Sequence, residues 1–190
     1  IGHIHHPDEV GFREGNLQAL TTFPSDQILI ARLLADRQGC YFHASGMIIN
    51  GAGLLFVGHS EAGKSTTVTM LQGEGEILCD DRVIVRRWPD GFRVHGTWSH
   101  GDIPIVSPAS APLRAIFLLE QAPFNRLEPI PEPGEIVRRL PFFVIKPLVT
   151  AEWWQITLDL IELMAQEIPV YQLKFDKTGV ITKMIRELVG

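Results

Sequence analysis

Eight residues, Gly58-His59-Ser60-Glu61-Ala62-Gly63-Lys64-Ser65, constrain this sequence of 190 residues more tightly than any other stretch. They satisfy GxxxxGK[ST], the pattern of a phosphate-binding loop. Their setting is the one the pattern requires: Gly53–Val57 reads as an apolar strand, and Lys64–Leu71 as a helix opening on the loop. Gly58 and Gly63 permit backbone angles closed to residues with a Cβ, so successive N–H groups turn inward as an anion nest. The first helical turn adds unpaired N–H donors and the positive end of its dipole. Lys64 offers a point charge to β- and γ-phosphates, and the Ser65 hydroxyl is a hard oxygen suited to magnesium. The segment Gly58 to Thr66, with His59, Ser60, Glu61 and Ala62 inside it, is therefore the expected seat of ATP and Mg2+.

A second element stands 16 and 17 residues after Lys64, where the apolar run Ile77–Cys79 ends in Asp80-Asp81. One carboxylate there can reach the metal edge of the phosphates, the Walker B role, and the other can act as base toward an incoming hydroxyl. In a strand they point to opposite sides, so one is expected to face the γ-phosphate directly. Asp80 and Asp81 are thus candidate metal and catalytic residues beside Lys64 and Ser65.

The rest of the chain mixes strands and helices. Ser25 reads as the N-cap of a helix in which Ile28, Leu29, Ala31, Leu33 and Leu34 recur until Gly39. Ser45–Ile49 and Gly53–Val57 form a hairpin across Asn50-Gly51, and Val83–Arg87 and Phe92–His95 another across Pro89-Asp90-Gly91. Gly96–Pro112 reads as a long loop of functional type, with Thr97, Ser99, His100 and Asp102 as candidates for substrate or metal contact. Leu113–Leu119 is a buried-type strand. Pro123–Pro133 is an irregular connector around a short strand at Arg126–Ile130, and Glu135–Leu140 is a short helix. Ala151–Gln166 reads as an amphipathic helix whose apolar face is Trp154, Ile156, Leu158, Leu160, Ile161 and Met164. Strand Val170–Phe175 and helix Val180–Leu188 close the chain. Trp153 and Trp154 read as packing residues, and Arg114, Arg126 and Lys146 as surface cations rather than charges for a transition state. With no clear βαβ rhythm, the prediction is an α/β fold on a mixed sheet, one domain over residues 1–190 with 1–24 peripheral.

Composition removes several classes. Apolar residues at 45% and charged residues at 21% exclude wholesale disorder. No apolar run reaches the roughly 18 residues of a membrane span. A net charge of −5 and a pI of about 5.8 provide no basic field, so neither nucleic acid nor a membrane is an expected partner. Cys40 and Cys79 are too few for a disulfide framework and form no CxxC pair, which reads as a reduced, cytoplasmic chain. His3, His5 and His6 lack partners at ligand spacing and read as a frayed terminus rather than a zinc site. The opening at Ile1, without Met or a signal-type stretch, reads as processing or trimming.

The run Phe42-His43-Ala44-Ser45, a hairpin, the loop Gly58–Ser65 and then Asp80-Asp81 resembles the catalytic domain of bacterial HPr serine kinase/phosphorylase. More closely, it is similar to the shorter HPr-kinase-related P-loop proteins that lack the usual N-terminal domain. The resemblance covers residues 40–100 and continues more softly through Leu113–Asn125 and Ile168–Phe175. It implies the phosphoenolpyruvate-carboxykinase-like P-loop fold, a mixed sheet around the nucleotide loop. It places His43 on the family's active-site histidine, and Lys64 and Ser65 on its ATP lysine and magnesium serine. Asp81 falls on the carboxylate that takes the proton of a substrate serine, with Asp80 as a neighbour able to exchange roles. By its surroundings alone His43 reads as a hydrogen-bonded packing residue; the resemblance gives it the work of orienting Asp81 or meeting the transferred group. Relatives of this kind are often oligomers, which implies a homo-oligomer here. Two departures stand out: His59 and Glu61 occupy loop positions where the family carries an acid and a glycine. Phe92–Gly96 also holds no acid where the family places a second metal carboxylate.

The leading expectation is a kinase that moves the γ-phosphoryl group of ATP to a serine-like hydroxyl on a protein, peptide or small molecule. The alternative is a nucleotide-binding regulatory module with little or no catalysis, which Glu61 and the absent metal acid motivate. A carboxykinase-like enzyme acting on a small acid would need a carboxylate-binding arginine pair, and the sequence assembles none.

Overall fold

A computed structural model describes Val10, residues 25–147 and residues 149–190. The amino-terminal histidines and the capping hydroxyl of Ser25 lie outside the described parts. The order of elements is α1 (Ser25–Ala35), β1 (Gly39–Ile49), β2 (Ala52–Val57), α2 (Lys64–Met70), β3 (Glu76–Cys79), β4 (Arg82–Trp88) and β5 (Gly91–His95). There follow β6 (Ser110–Gln121), β7 (Arg126–Pro129), α3 (Pro133–Arg139), a 3-10 turn (Leu140–Phe143), α4 (Ala151–Glu167), β8 (Val170–Phe175) and α5 (Val180–Val189).

The sheet is mixed, as expected. β2 pairs in parallel with β6, and β6 with β8, while the remaining pairings are antiparallel. β1 is the organiser. Its second half pairs with β2 on one edge and with β3 on the other, and its first half pairs with β4. β3 and β4 therefore run in line along one edge of β1, broken only by Asp80-Asp81. Both are antiparallel to β1, as β2 is, so β2, β3, β6 and β8 point the same way. Their C-terminal ends share one rim, the place where ligands sit in open α/β sheets.

Helices cover both faces. On one, Leu55, Val57, Val83, Ile116 and Leu118 meet Trp153, Ile161 and Met164 of α4. On the other, Leu54, Phe56, Phe117 and Phe175 meet Val68 of α2 and Ile181 and Ile185 of α5. β2 is buried along its whole length, which is why it reads as a continuous apolar run rather than an alternation. The hairpin turn is as predicted: Asn50 and Gly51 have φ of +51° and +77°, the pair of positive angles a two-residue hairpin turn demands.

Three expectations are corrected. β1 begins at Gly39, not Ser45, and the Gly39 expected to stop a helix is its first residue. Burial on both faces of Gly39–Ala44 removes the polar alternation that would have marked a strand. β6 starts at Ser110, so the long loop is shorter than predicted; its first residues add to β5, with Arg93 opposite Pro112. The buried face of α4 is Trp153, Thr157, Leu160, Ile161 and Met164, and Leu158 is exposed. Thr150 fixes that rotation by accepting the Trp153 N–H, and the Trp153 indole donates to the Ala31 carbonyl at 3.3 Å. Both cysteines are free and buried, and burial pushes the Cys40 thiol up to about 12, an unreactive state. Among the described residues no helix is long and apolar enough to cross a membrane.

Where β2 lies beside its partner β6 and against β5, Gly53 leaves no room for a side chain. A Cβ there would lie 2.3 Å from Val94 Cγ1 and 2.9 Å from the Pro112 carbonyl. Gly53→Ala is expected to lower stability by about 1–3 kcal/mol, read as a fall in urea midpoint at unchanged slope. An unaltered midpoint would contradict this packing.

Candidate functional site

The loop leaves β2 at the shared rim and is shaped by two glycines. A Cβ on Gly58 would stand 2.6 Å from that of Ala62, and one on Gly63 would stand 2.7 Å from the Phe175 ring. Gly63 also has φ +95°, a left-handed conformation. Glu61 adopts φ +65°, the same region, where a glycine would sit without strain. The turn is closed by the Ala62 N–H donating to the His59 carbonyl at 3.1 Å, and the Gln121 amide donates to the Glu61 carbonyl at 2.6 Å. The first helical bond runs from the Thr67 N–H to the Gly63 carbonyl, so the N–H groups from Gly63 to Thr66 stand ahead of the ladder.

Lys64 is buried, and its ammonium donates to the carbonyls of Gly58 and His59 at 3.0 and 3.1 Å. Desolvation lowers its pKa, while the nearby charges of Asp81 and Asp80 act the other way. The Ser65 hydroxyl donates to Asp80 Oδ2 at 3.0 Å. Asp80 is 3% exposed and also receives the backbone N–H groups of Gly101 at 2.6 Å and Ile103 at 3.0 Å. Asp81 sits beside it with a different set of partners: His43 Nδ1 at 3.3 Å, Arg82 Nε at 3.3 Å and the Ser99 hydroxyl at 2.8 Å. Burial pushes the Asp81 pKa up, but His43, Ser99 and Arg82 together outweigh it and hold the carboxyl below its ordinary 3.8.

The two aspartates are fastened where β3 gives way to β4. The Ala44 N–H donates to the Asp81 carbonyl at 3.0 Å, and the buried Ser45 hydroxyl donates to the Asp80 carbonyl at 3.3 Å. Phe42-His43-Ala44-Ser45 is thus a register device: His43 reaches the Asp81 side chain while the next two residues hold the backbone.

Lys64, Ser65, Asp80, Asp81 and His43 line one cleft of about 390 Å³, joined by Ser60, Glu61, Gly63 and Thr66 of the loop. Gly58, His59 and Ala62 form the loop's back, with the His59 ring packed on Phe143 at 5.2 Å. Of the loop candidates after β5, Asp102 reaches the cleft and Ser99 reaches Asp81. Thr97 instead donates to the Arg82 carbonyl at 2.6 Å, and His100 is exposed outside the cleft. Arg114 lies at the opposite end of β2, beside Asn50 and Gly51. Arg126 pairs with Glu128 at 2.9 Å, and Lys146 lies over Trp154 at 5.9 Å. Sequence reasoning missed Arg82, although it directly follows Asp81, and Gln121 at the end of β6. It also missed the two backbone donors to Asp80, for which no sequence signal exists. Hard oxygens from Ser65 and Asp80 suit a magnesium ion that arrives with phosphates. Among the described residues no group of three His, Cys, Asp or Glu side chains could chelate a metal unaided.

A family model described as SynChlorMet cassette protein ScmC matches residues 18–189. No curated protein matches the sequence. Among solved structures, the Hpr(Ser) kinase/phosphatase from Coxiella burnetii is similar, at 12% identity and a TM-score of 0.45, over 78% of this chain and 87% of that one. The family matched is ScmC and not an HPr kinase family.

Two outcomes follow from this geometry. Because the folded pKa of Asp81 lies below 3.8, its contribution is fully present above that value and is lost as pH falls through the folded pKa. The stability gap between the wild type and Asp81→Asn should therefore narrow in acid below about 3.8; parallel curves would contradict the assignment. Glu61→Gly should raise stability by about 0.5–1 kcal/mol, read as a higher urea midpoint at unchanged slope, through release of the left-handed strain.

Proposed function

The chain belongs to the ScmC family of SynChlorMet cassette proteins, and from the geometry of its cleft we propose that it is a P-loop phosphotransferase. It binds ATP and Mg2+ over residues 58–66 and passes the γ-phosphoryl group to a serine-like hydroxyl on a protein, peptide or small molecule. The observation that carries this reading is the convergence of Lys64, Ser65, Asp80, Asp81 and His43 on one cleft at the ends of co-directed strands. The pattern GxxxxGK[ST] alone specifies phosphate binding; the paired carboxylates beside it add a route for a proton.

In this reading Lys64 leaves the loop carbonyls of Gly58 and His59 for the β- and γ-phosphates. Ser65 and Asp80 would hold the magnesium, which would neutralise charge on the phosphate oxygens. Asp80, held by two backbone N–H groups, keeps its place as the nucleotide enters. Asp81 orients the acceptor hydroxyl. The acceptor oxygen bonds to the γ-phosphorus, the bond to the β–γ bridging oxygen breaks, ADP leaves, and the hydroxyl proton passes to Asp81. His43 positions Asp81. A carboxylate of depressed pKa remains ionised throughout neutral pH, so it takes the proton late, as charge leaves the attacking oxygen.

A second reading, a nucleotide-binding regulatory module with weak or no turnover, is favoured by two features. Glu61 lines the same cleft as the phosphate ligands, and Asp81 is held by three partners that reduce its basicity. Calorimetry with ATP and magnesium, followed by transfer from radiolabelled ATP to candidate serine acceptors, separates the two. The kinase reading expects Lys64→Ala to weaken ATP binding by about tenfold or more. It expects Asp81→Asn to lower transfer by about 10²- to 10⁴-fold at little cost in ATP affinity. ATP binding without transfer to any acceptor, together with cellular function indifferent to Asp81→Asn, would select the regulatory module.

A further inference from the structure

The phosphate cleft continues past the loop into a second cavity of about 350 Å³, and the two share Thr66 and Gln121 in their walls. The second cavity is completed by Ala122 and Pro123 after β6, by Phe175 at the end of β8 and by Asp176 and Lys177 after it. β6 and β8 are parallel neighbours in register from Ile116↔Val170 to Gln121↔Phe175, so both walls emerge at the rim that carries the phosphate loop. The direction of a bound triphosphate follows from α2. Ser65 faces Asp80, beside Asp81 and His43, which makes that end the metal and acceptor end. Thr66, one residue on and about 100° round the helix, stands with Gln121 where that cleft meets the second cavity.

Resting on the phosphate-loop reading above, we propose that the second cavity is the nucleoside subsite, with the base against Ala122 and Pro123 and the ribose hydroxyls donating to Asp176. The chemistry of the walls fits. The alanine and proline give apolar surface to a planar base. The Asp176 carboxylate is held in place by the Thr178 N–H at 2.9 Å and by the Thr178 hydroxyl, and the Asp176 N–H donates to Asn125 at 3.3 Å. A fixed carboxylate is an acceptor for a vicinal diol, and Lys177 offsets its charge near an anionic ligand. The cavity's size lies within the range of ordinary small-ligand sites, about 300–1,000 Å³.

The test is calorimetry on the full chain with ATP, GTP and inorganic tripolyphosphate, each with magnesium. The better of the two nucleotides is expected to bind about tenfold or more tighter than tripolyphosphate, the margin a hydrogen-bonded charged group supplies. Its 2′,3′-dideoxy form, and the Asp176→Ala variant, should each lose most of that margin. Tripolyphosphate affinity should be unchanged by Asp176→Ala, which also shows that the variant is folded. Equal affinity for nucleotide and tripolyphosphate overturns the subsite while leaving the phosphate loop intact. So does a margin that survives both loss of the ribose hydroxyls and Asp176→Ala. No heat from any of the three ligands overturns the phosphate-loop reading and the subsite with it.

Discussion

The site depends on how one strand holds a break in another. β3 and β4 would form one continuous ribbon along β1 were it not for Asp80 and Asp81, whose carbonyls are taken by the Ser45 hydroxyl and the Ala44 N–H. Backbone groups at a break in a buried sheet must find partners, because leaving them unpaired is costly. Ser45 is wholly buried and supplies one of those partners. The break is therefore held at the level of the phosphate loop, since Ala44 stands opposite Val57, the last residue of β2 before Gly58.

Charge is managed by the same economy of partners. Lys64 is buried beside two carboxylates and turned onto loop carbonyls, so the cationic and anionic sides of the cleft are each satisfied within the protein. Asp80 is bound by backbone donors and by Ser65, whereas Asp81 is bound by side chains alone. The first arrangement is rigid because its donors belong to the chain. The second can rearrange through side-chain torsions.

The loop carries a local cost at Glu61, a residue with a Cβ in left-handed backbone space. Its carbonyl is held by Gln121, which also stands between the phosphate cleft and the cavity beyond Thr66. Gln121 thus ties the curvature of the loop to the end of β6. A change at either position acts on both cavities.

Sequence alone determined the glycine-framed loop between β2 and α2, the acidic pair, the Asn50-Gly51 turn and the mixed α/β character, because each rests on local chemistry. Glycine spacing, a charged dipeptide after an apolar run and turn-forming residues carry their meaning within a few positions. The neighbours of His43 in space were legible only by resemblance. Only tertiary structure decided that β1 starts at Gly39, since double burial erased its alternation. Pairing between distant strands likewise decided that Asp80 and Asp81 take different partners, and that Arg82, Gly101, Ile103 and Gln121 belong to the site. Apart from Arg82, which adjoins Asp81, the contacts of Ser65, Gly101, Ile103 and Gln121 join residues 15 to 60 positions apart. Nothing local in the chain encodes which backbone N–H will meet which carboxylate; the register of β1 against β3 and β4 places Asp80, and the loop after β5 brings Gly101 and Ile103 to it.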